Sequence, residues 1–130
     1  MSTSKEQFFD ARRASVRQAR EFATATLTAW GHQEHLENVR LCVSELATNA
    51  LLHGTRHGHG FLVRIAVEDG AVRLEVHDSR EERPHARTPT GTDALGRGLM
   101  LVDVLSDGWG VEERVPFGKV IWSCFKTTQC

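Results

Sequence analysis

Long apolar runs are absent from this chain. No stretch of about 18 consecutive apolar residues exists, which argues against a transmembrane helix. The opening Met1-Ser2-Thr3-Ser4-Lys5-Glu6 has no apolar segment of the kind a secretion signal needs, so a cytoplasmic location is expected. Excess charge is missing too. Lysine and arginine number 16 against 17 acidic residues, for a net charge of −1, so neither nucleic acid nor a membrane is expected as the main partner. Cysteine is scarce and odd in number: Cys42, Cys124 and Cys130, without metal-ligand spacing, which points to reduced thiols. There is no internal repeat and no domain linker. Residues 1–130 are therefore expected to form a single domain, large enough to bury a core.

What is present is periodicity. Phe8 and Phe9 either close a short edge strand or begin the first helix. From about Arg12 to Trp30, the residues Val16, Ala19, Phe22, Ala23, Thr26, Leu27 and Trp30 recur at helical spacing, and Gly31 ends the run. Arg12, Arg13, Arg17 and Arg20 share that helix, as a solvated face or a partner contact. A second helix runs from Glu34 or His35 to His53, with Gly54 as its stop. Residues 61–68 and 71–78 alternate as strands around Asp69-Gly70, a two-residue hairpin signal. Ser79 to Leu95 has two prolines, many charges and no period, as a functional loop would. After Gly98 a short helix, Leu99 to Leu105, precedes two final strands, Trp109 to Val115 and Lys119 to Phe125. The three tryptophans, Trp30, Trp109 and Trp122, are expected in the core. This order predicts an α+β two-layer sandwich: a mixed, mostly antiparallel sheet covered on one face by helices.

The chemistry concentrates in Glu45-Leu46-Ala47-Thr48-Asn49-Ala50-Leu51-Leu52-His53. Glu45, Asn49 and His53 stand at i, i+4 and i+8, one stripe of a helix. Leu36, Val39, Val43, Leu46, Ala47 and Ala50 point the other way. A carboxylate one turn from a carboxamide sets a base beside an oxygen ligand for a hard cation such as Mg²⁺. Without further context the pair is equally two solvated helix residues. Asp78, at a strand end, is either a turn-former or a buried acceptor for an exocyclic amine. Gly96-Arg97-Gly98-Leu99 leads into a helix and offers backbone N–H groups to an anion; the bland reading is an ordinary loop-to-helix junction. His53, His57 and His59 cluster near three glycines and read better as loop histidines than as a metal site.

These segments, in this order, resemble the GHKL or Bergerat-type ATP-binding domain of histidine kinases and gyrase. The closer likeness is to the stand-alone anti-sigma-factor serine/threonine kinases of sporulation and stress control. It extends from Leu27-Thr28-Ala29-Trp30-Gly31 to Gly118-Lys119-Val120-Ile121-Trp122, and its most specific parts are residues 44–50 and 96–102. The resemblance implies ATP and Mg²⁺ as cofactors. Asn49 would hold the metal, and Glu45 would be the general base. His53 would lie near the phosphates or the lid, Asp78 would accept from the adenine amine, and residues 79–95 would form the ATP lid. The backbone of Gly96 and Gly98, with Arg97 and Leu99, would face the phosphates. The implied partners are an anti-anti-sigma protein of the STAS type, a sigma factor and a second copy of the chain. The alternative is a non-catalytic interaction module. Two departures from the family pattern stand out: no glycine follows Asp78 in Asp78-Ser79-Arg80-Glu81-Glu82, and Val120 matches a position where relatives often carry threonine.

Overall fold

The computed structural model describes residues 3–54, 59–79, 94–115 and 117–126, with the side chains of residues 54 and 94–98 left out of the description. Its elements, in chain order, are β1 (Thr3–Phe9), α1 (Ala14–Ala29), α2 (Leu36–Asn49), a π-helical turn (Ala50–Gly54), β2 (Phe61–Glu68), β3 (Ala71–Asp78), α3 (Ala94–Leu105), β4 (Gly108–Glu113) and β5 (Lys119–Lys126). The five strands form one sheet in the order β1-β2-β3-β5-β4. Each of its pairings is antiparallel, so the parallel component allowed for by a mixed sheet is not found among the described residues.

The β2–β3 hairpin is built by its turn. Asp69 (φ 51°) and Gly70 (φ 75°) both take positive φ, the backbone that a two-residue type I′ connection demands. From that turn the register pairs Val67 with Val72, Ile65 with Leu74 and Val63 with Val76. Those six point to one face, as alternation requires, and α1 and α2 cover it. The helices contribute Ala19, Phe22, Ala23 and Leu27, then Val39, Val43, Leu46, Ala47 and Ala50, at the spacing of one helical stripe. Phe9 stacks on Phe61 at 5.6 Å between ring centroids and meets Phe22 edge-on at 6.0 Å, closing one end of the core. At the other end His35 Nε2 bonds the carbonyl of Lys126, tying the start of α2 to the last strand.

Of the two readings of Phe8 and Phe9 the edge strand holds: β1 is a strand of 7 residues on the sheet edge, of which only Phe9 is buried. Two expectations need correction. Trp122 does not join the core. It lies on the helix-free face with the Arg73 guanidinium 4.7 Å above its ring, while Trp30 and Trp109 pack against the core. Finally, α3 begins at Ala94, so Gly96, Arg97 and Gly98 lie inside its first turns, not before them. No helix among the described residues is long and apolar enough to cross a membrane.

Candidate functional site

The acid-amide pair sits at the end of α2. Val43, Leu46, Ala47 and Ala50 are driven into the core, so the helix must present Glu45, half-buried, along its opposite flank. Asn49 is the last α-helical residue and is 6% exposed, and its amide nitrogen has no hydrogen-bond partner among the described residues. A buried, unpaired amide costs about 1–3 kcal/mol. Ser15, Thr26, Ser79 and Ser123 also carry buried oxygens without a partner among the described residues, so the feature marks a site at Asn49 only together with its place beside Glu45. After Asn49 the chain widens into the π-helical turn Ala50–Gly54, and this turn packs on β3. Insertions of this kind inside helices recur at functional sites. Here the wider turn takes His53 off the straight i, i+4, i+8 stripe, and His53 is solvent-exposed. His59 is exposed as well, and His57 lies outside the described residues.

Asp78 ends β3 on the helix side of the sheet, in line with Val72, Leu74 and Val76. It is 5% exposed. Directly opposite, the first residue of β5 is Lys119, which is 6% exposed. Its Nζ lies 3.1 Å from Oδ1 and 3.0 Å from Oδ2 of Asp78. The strands can meet this closely because Gly118 (φ 99°) precedes Lys119: a Cβ there would stand 2.1 Å from the Asp78 carbonyl oxygen. The Arg114 N–H donates to the Gly118 carbonyl at 3.0 Å and fixes the turn into β5.

This register corrects the reading of the last strand. Val120 pairs with His77, one residue out of phase with Asp78, and so faces the helix-free side. The residue that shares Asp78's face is Lys119, which sequence reasoning passed over. The signal available in the sequence was a lysine opening an otherwise apolar strand, Lys119-Val120-Ile121-Trp122.

The remaining expected residues are on α3 or in the loop. Leu99 is fully buried in the core, so only its backbone is available to a ligand. With α3 starting at Ala94, the N–H groups of Gly98 and Leu99 fall within the helical ladder. The Arg97 side chain and loop residues 80–93, and with them the lid, lie outside the described residues.

A cavity of about 230 Å³ is lined by Phe8, Leu62, His77, Arg114 and Phe117, and it reaches Asp78 and Ser79 at the sheet end. Phe8, Leu62 and His77 belong to the helix-free face, so this cavity is separate from the flank that carries Glu45 and Asn49. The helix-free face is also strongly polar. Glu75 receives hydrogen bonds from Arg73 Nε at 2.7 Å and Arg64 at 3.4 Å, and its Oε1 lies 2.8 Å from His77 Nε2.

The fit to Mg²⁺ and a nucleotide can be judged on these groups. Among the described residues no cluster of three or more His, Cys, Asp or Glu side chains exists to cage a metal. Mg²⁺ does not need one, since it is commonly held by one or two protein oxygens plus substrate phosphates and water. The Asn49 carboxamide oxygen is a ligand of the kind Mg²⁺ takes, whereas the unpaired nitrogen of the same group could only donate to a nucleotide oxygen. Asp78 is a carboxylate acceptor at the strand end and is engaged by the Lys119 ammonium.

The α+β sandwich, helices on one face of an antiparallel sheet, agrees with what comparison with known families finds. Residues 9–125 match the histidine kinase-like ATPase domain, and the chain belongs to that family. Among individual proteins, the anti-sigma F factor of Geobacillus stearothermophilus is 32% identical over 128 residues, covering 84% of this chain and 88% of that protein. The anti-sigma F factor of Geobacillus kaustophilus (strain HTA426) is 32% identical over 116 residues, covering 78% and 80%. That of Clostridium botulinum (strain Alaska E43 / Type E3) is 29% identical over 89 residues, covering 61% and 62%.

Proposed function

We propose that this chain is an ATP-dependent serine/threonine protein kinase that acts as an anti-sigma-type regulator. Its phosphoryl acceptor would be a serine of a small STAS-type anti-anti-sigma protein, and a sigma factor would be its other partner. The observation that carries the reading is the pairing of half-buried Glu45 with buried, unpaired Asn49 one turn on, at the end of a core helix. Membership of an ATPase family and likeness to proteins named anti-sigma F factors support it.

In this reading the Asn49 carboxamide oxygen would hold Mg²⁺, which would supply positive charge to offset that of the phosphates. Asp78 accepts a hydrogen from the adenine amine and fixes the base against the sheet. The first turn of α3 turns its N–H groups toward phosphate oxygens. Glu45 accepts the proton of the incoming serine hydroxyl as that oxygen bonds to the γ-phosphorus, and the bond from phosphorus to the β–γ bridging oxygen breaks to release ADP. Little covalent work falls to the protein, so positioning and charge carry most of the catalysis.

The test is incubation with Mg-ATP and candidate STAS proteins, read by phosphopeptide mass spectrometry. Phosphoserine formed by the wild type and reduced about 10²–10⁴-fold in Glu45→Gln is the expected result for loss of a general base. Transfer at the wild-type rate in Glu45→Gln would refute the base assignment. One observation favours a second reading, a non-catalytic interaction module: the carboxylate meant for adenine already holds an ammonium. ATP-independent partner binding with no phosphoserine would select that reading.

A further inference from the structure

The cavity on the helix-free face takes no part in the nucleotide site. It measures about 230 Å³ and lies between Phe8, Leu62, His77, Arg114 and Phe117. The register sets Phe8 opposite Leu62 and Leu62 opposite His77, so these three share one face. The Asp78 side chain, one residue on, points to the helix side. Gly60 gives the Phe8 ring its place, since a Cβ there would stand 2.5 Å from Phe8 Cζ. Phe8 and Phe117 are 59% and 44% exposed, apolar surface of the kind that a bound ring would cover.

Arg114 is the cation of this cavity. Its Nε donates to His77 Nδ1 at 3.3 Å, and that is its one side-chain hydrogen bond among the described residues. The carboxylates of the same face are engaged elsewhere, Glu75 by Arg73, Arg64 and His77, and Glu112 by Arg73. His77 is itself held by Glu75, so the guanidinium is oriented through a chain of two bonds. A neutral imidazole orients a guanidinium without cancelling its charge. The Nη edge, which can take a carboxylate by two parallel bonds, is left without a partner among the described residues. We propose that this cavity binds a small aromatic carboxylate, its ring among Phe8, Leu62 and Phe117 and its carboxylate on the Nη atoms of Arg114. A mostly apolar pocket with one convergent polar group is the usual make-up of a small-ligand site. Volume sets the size of the ligand: a cavity of about 150 Å³ can accept benzene, so about 230 Å³ takes one ring with a carboxylate and is too small for a nucleoside triphosphate. The proposal does not depend on nucleotide binding.

The test is titration of the isotope-labelled full chain with benzoate, benzamide and acetate, read by amide chemical shifts. Benzamide keeps the shape of benzoate without its charge, and acetate keeps the charge without the ring. Wild type should bind benzoate about tenfold or more tightly than either. The shifts should centre on Leu62, His77 and Arg114 and persist in the presence of Mg-ATP. Arg114→Gln should lose the preference for benzoate over benzamide, and Arg114→Lys, which has the charge without the fork, should fall between. The wild-type comparison needs no variant, so a variant that misfolds leaves the idea open to refutation. No shift at millimolar benzoate would overturn it, as would equal binding of benzoate and benzamide or of benzoate and acetate. An unchanged preference in a folded Arg114→Gln would overturn it too. So would shifts centred on Asn49 that Mg-ATP abolishes, which would place the anion in the nucleotide site instead.

Discussion

His77 Nε2 lies 2.8 Å from Oε1 of Glu75, and the His77 Nδ1 atom accepts from Arg114 Nε at 3.3 Å. The two partners assign the imidazole its tautomer: the proton is on Nε2, which donates to the carboxylate. The hydrogen bond from His77, with further help from Arg73 and against the opposing effect of burial, holds the Glu75 carboxyl at about 2 in place of 4.5. A depressed carboxyl pKa contributes stability that is complete above the unfolded value and is lost as pH falls through the folded one. The pH window is therefore about 4.5 down to about 2. Arg73 and Arg64 are about one-third exposed, so solvent screening trims the effect to on the order of 1–2 kcal/mol. Glu75→Gln should be less stable than wild type by that amount at neutral pH and should converge on it in acid. Urea midpoints measured from pH 7 to pH 2 will show it, and parallel curves would contradict it.

Asn49→Ala should abolish binding of Mg-ATP while changing stability by less than about 1 kcal/mol. The reason is that the amide nitrogen is buried without a partner, so its removal deletes a desolvation cost along with the side chain. Calorimetry and denaturant melts on the same protein separate the two effects. A large loss of stability would mean that the amide holds the end of α2 together and is no ligand group.

Gly118→Ala should destabilise the fold by about 2 kcal/mol or more, since it combines positive φ with a backbone clash. The new Cβ would stand 2.1 Å from the Asp78 carbonyl oxygen. Because that contact sets Lys119 opposite Asp78, the variant should also weaken nucleotide binding even at temperatures where it remains folded. Gly31→Ala is the control: it too has positive φ (78°), but nothing lies within 4 Å of its added Cβ. Equal losses in the two variants would show that φ alone matters.

Cys42 should resist alkylation in the native protein. It is fully buried, and burial first, then the negative charge of Glu45, pushes its thiol up to about 12. The thiolate is the reacting form, so at pH 8 the native residue is protected both sterically and electrostatically. Partly exposed Cys124 should label faster. Iodoacetamide labelling followed by peptide mass spectrometry provides the rates, and labelling of Cys42 as fast as Cys124 without unfolding would refute the burial argument.

Much of the architecture follows from local pattern. The faces of α1 and α2 are legible because apolar residues at helical spacing have only one way to reach a shared core, and Val39, Val43, Leu46 and Ala47 are all fully buried. Asp69-Gly70 dictates its hairpin because few dipeptides tolerate two successive positive φ angles. Glu45, Asn49 and Asp78 could be singled out for the same reason: each is a polar residue whose place on a helix flank or strand end is set by neighbours a few residues away.

What neighbours cannot set is register between distant strands. Asp78 and Lys119 are 41 residues apart, and a slip of one residue in β5 would bring Val120 to the inner face and turn Lys119 outward. That choice is made by the packing of Ile121, Ser123 and Phe125 under the helices and by the close passage of Gly118, neither of which is visible in a window of sequence. The same holds for Trp122, sent to the outer face by that register, and for β1, a strand because β2 offers it an edge and not because its residues alternate. Apart from β1 and the start of α3, the sequence by itself determined which segments are helix and strand, because those follow from short-range sterics and periodicity. Only the tertiary structure decided which of those residues meet, because a pairing between remote strands is selected by the burial of everything else on the same face.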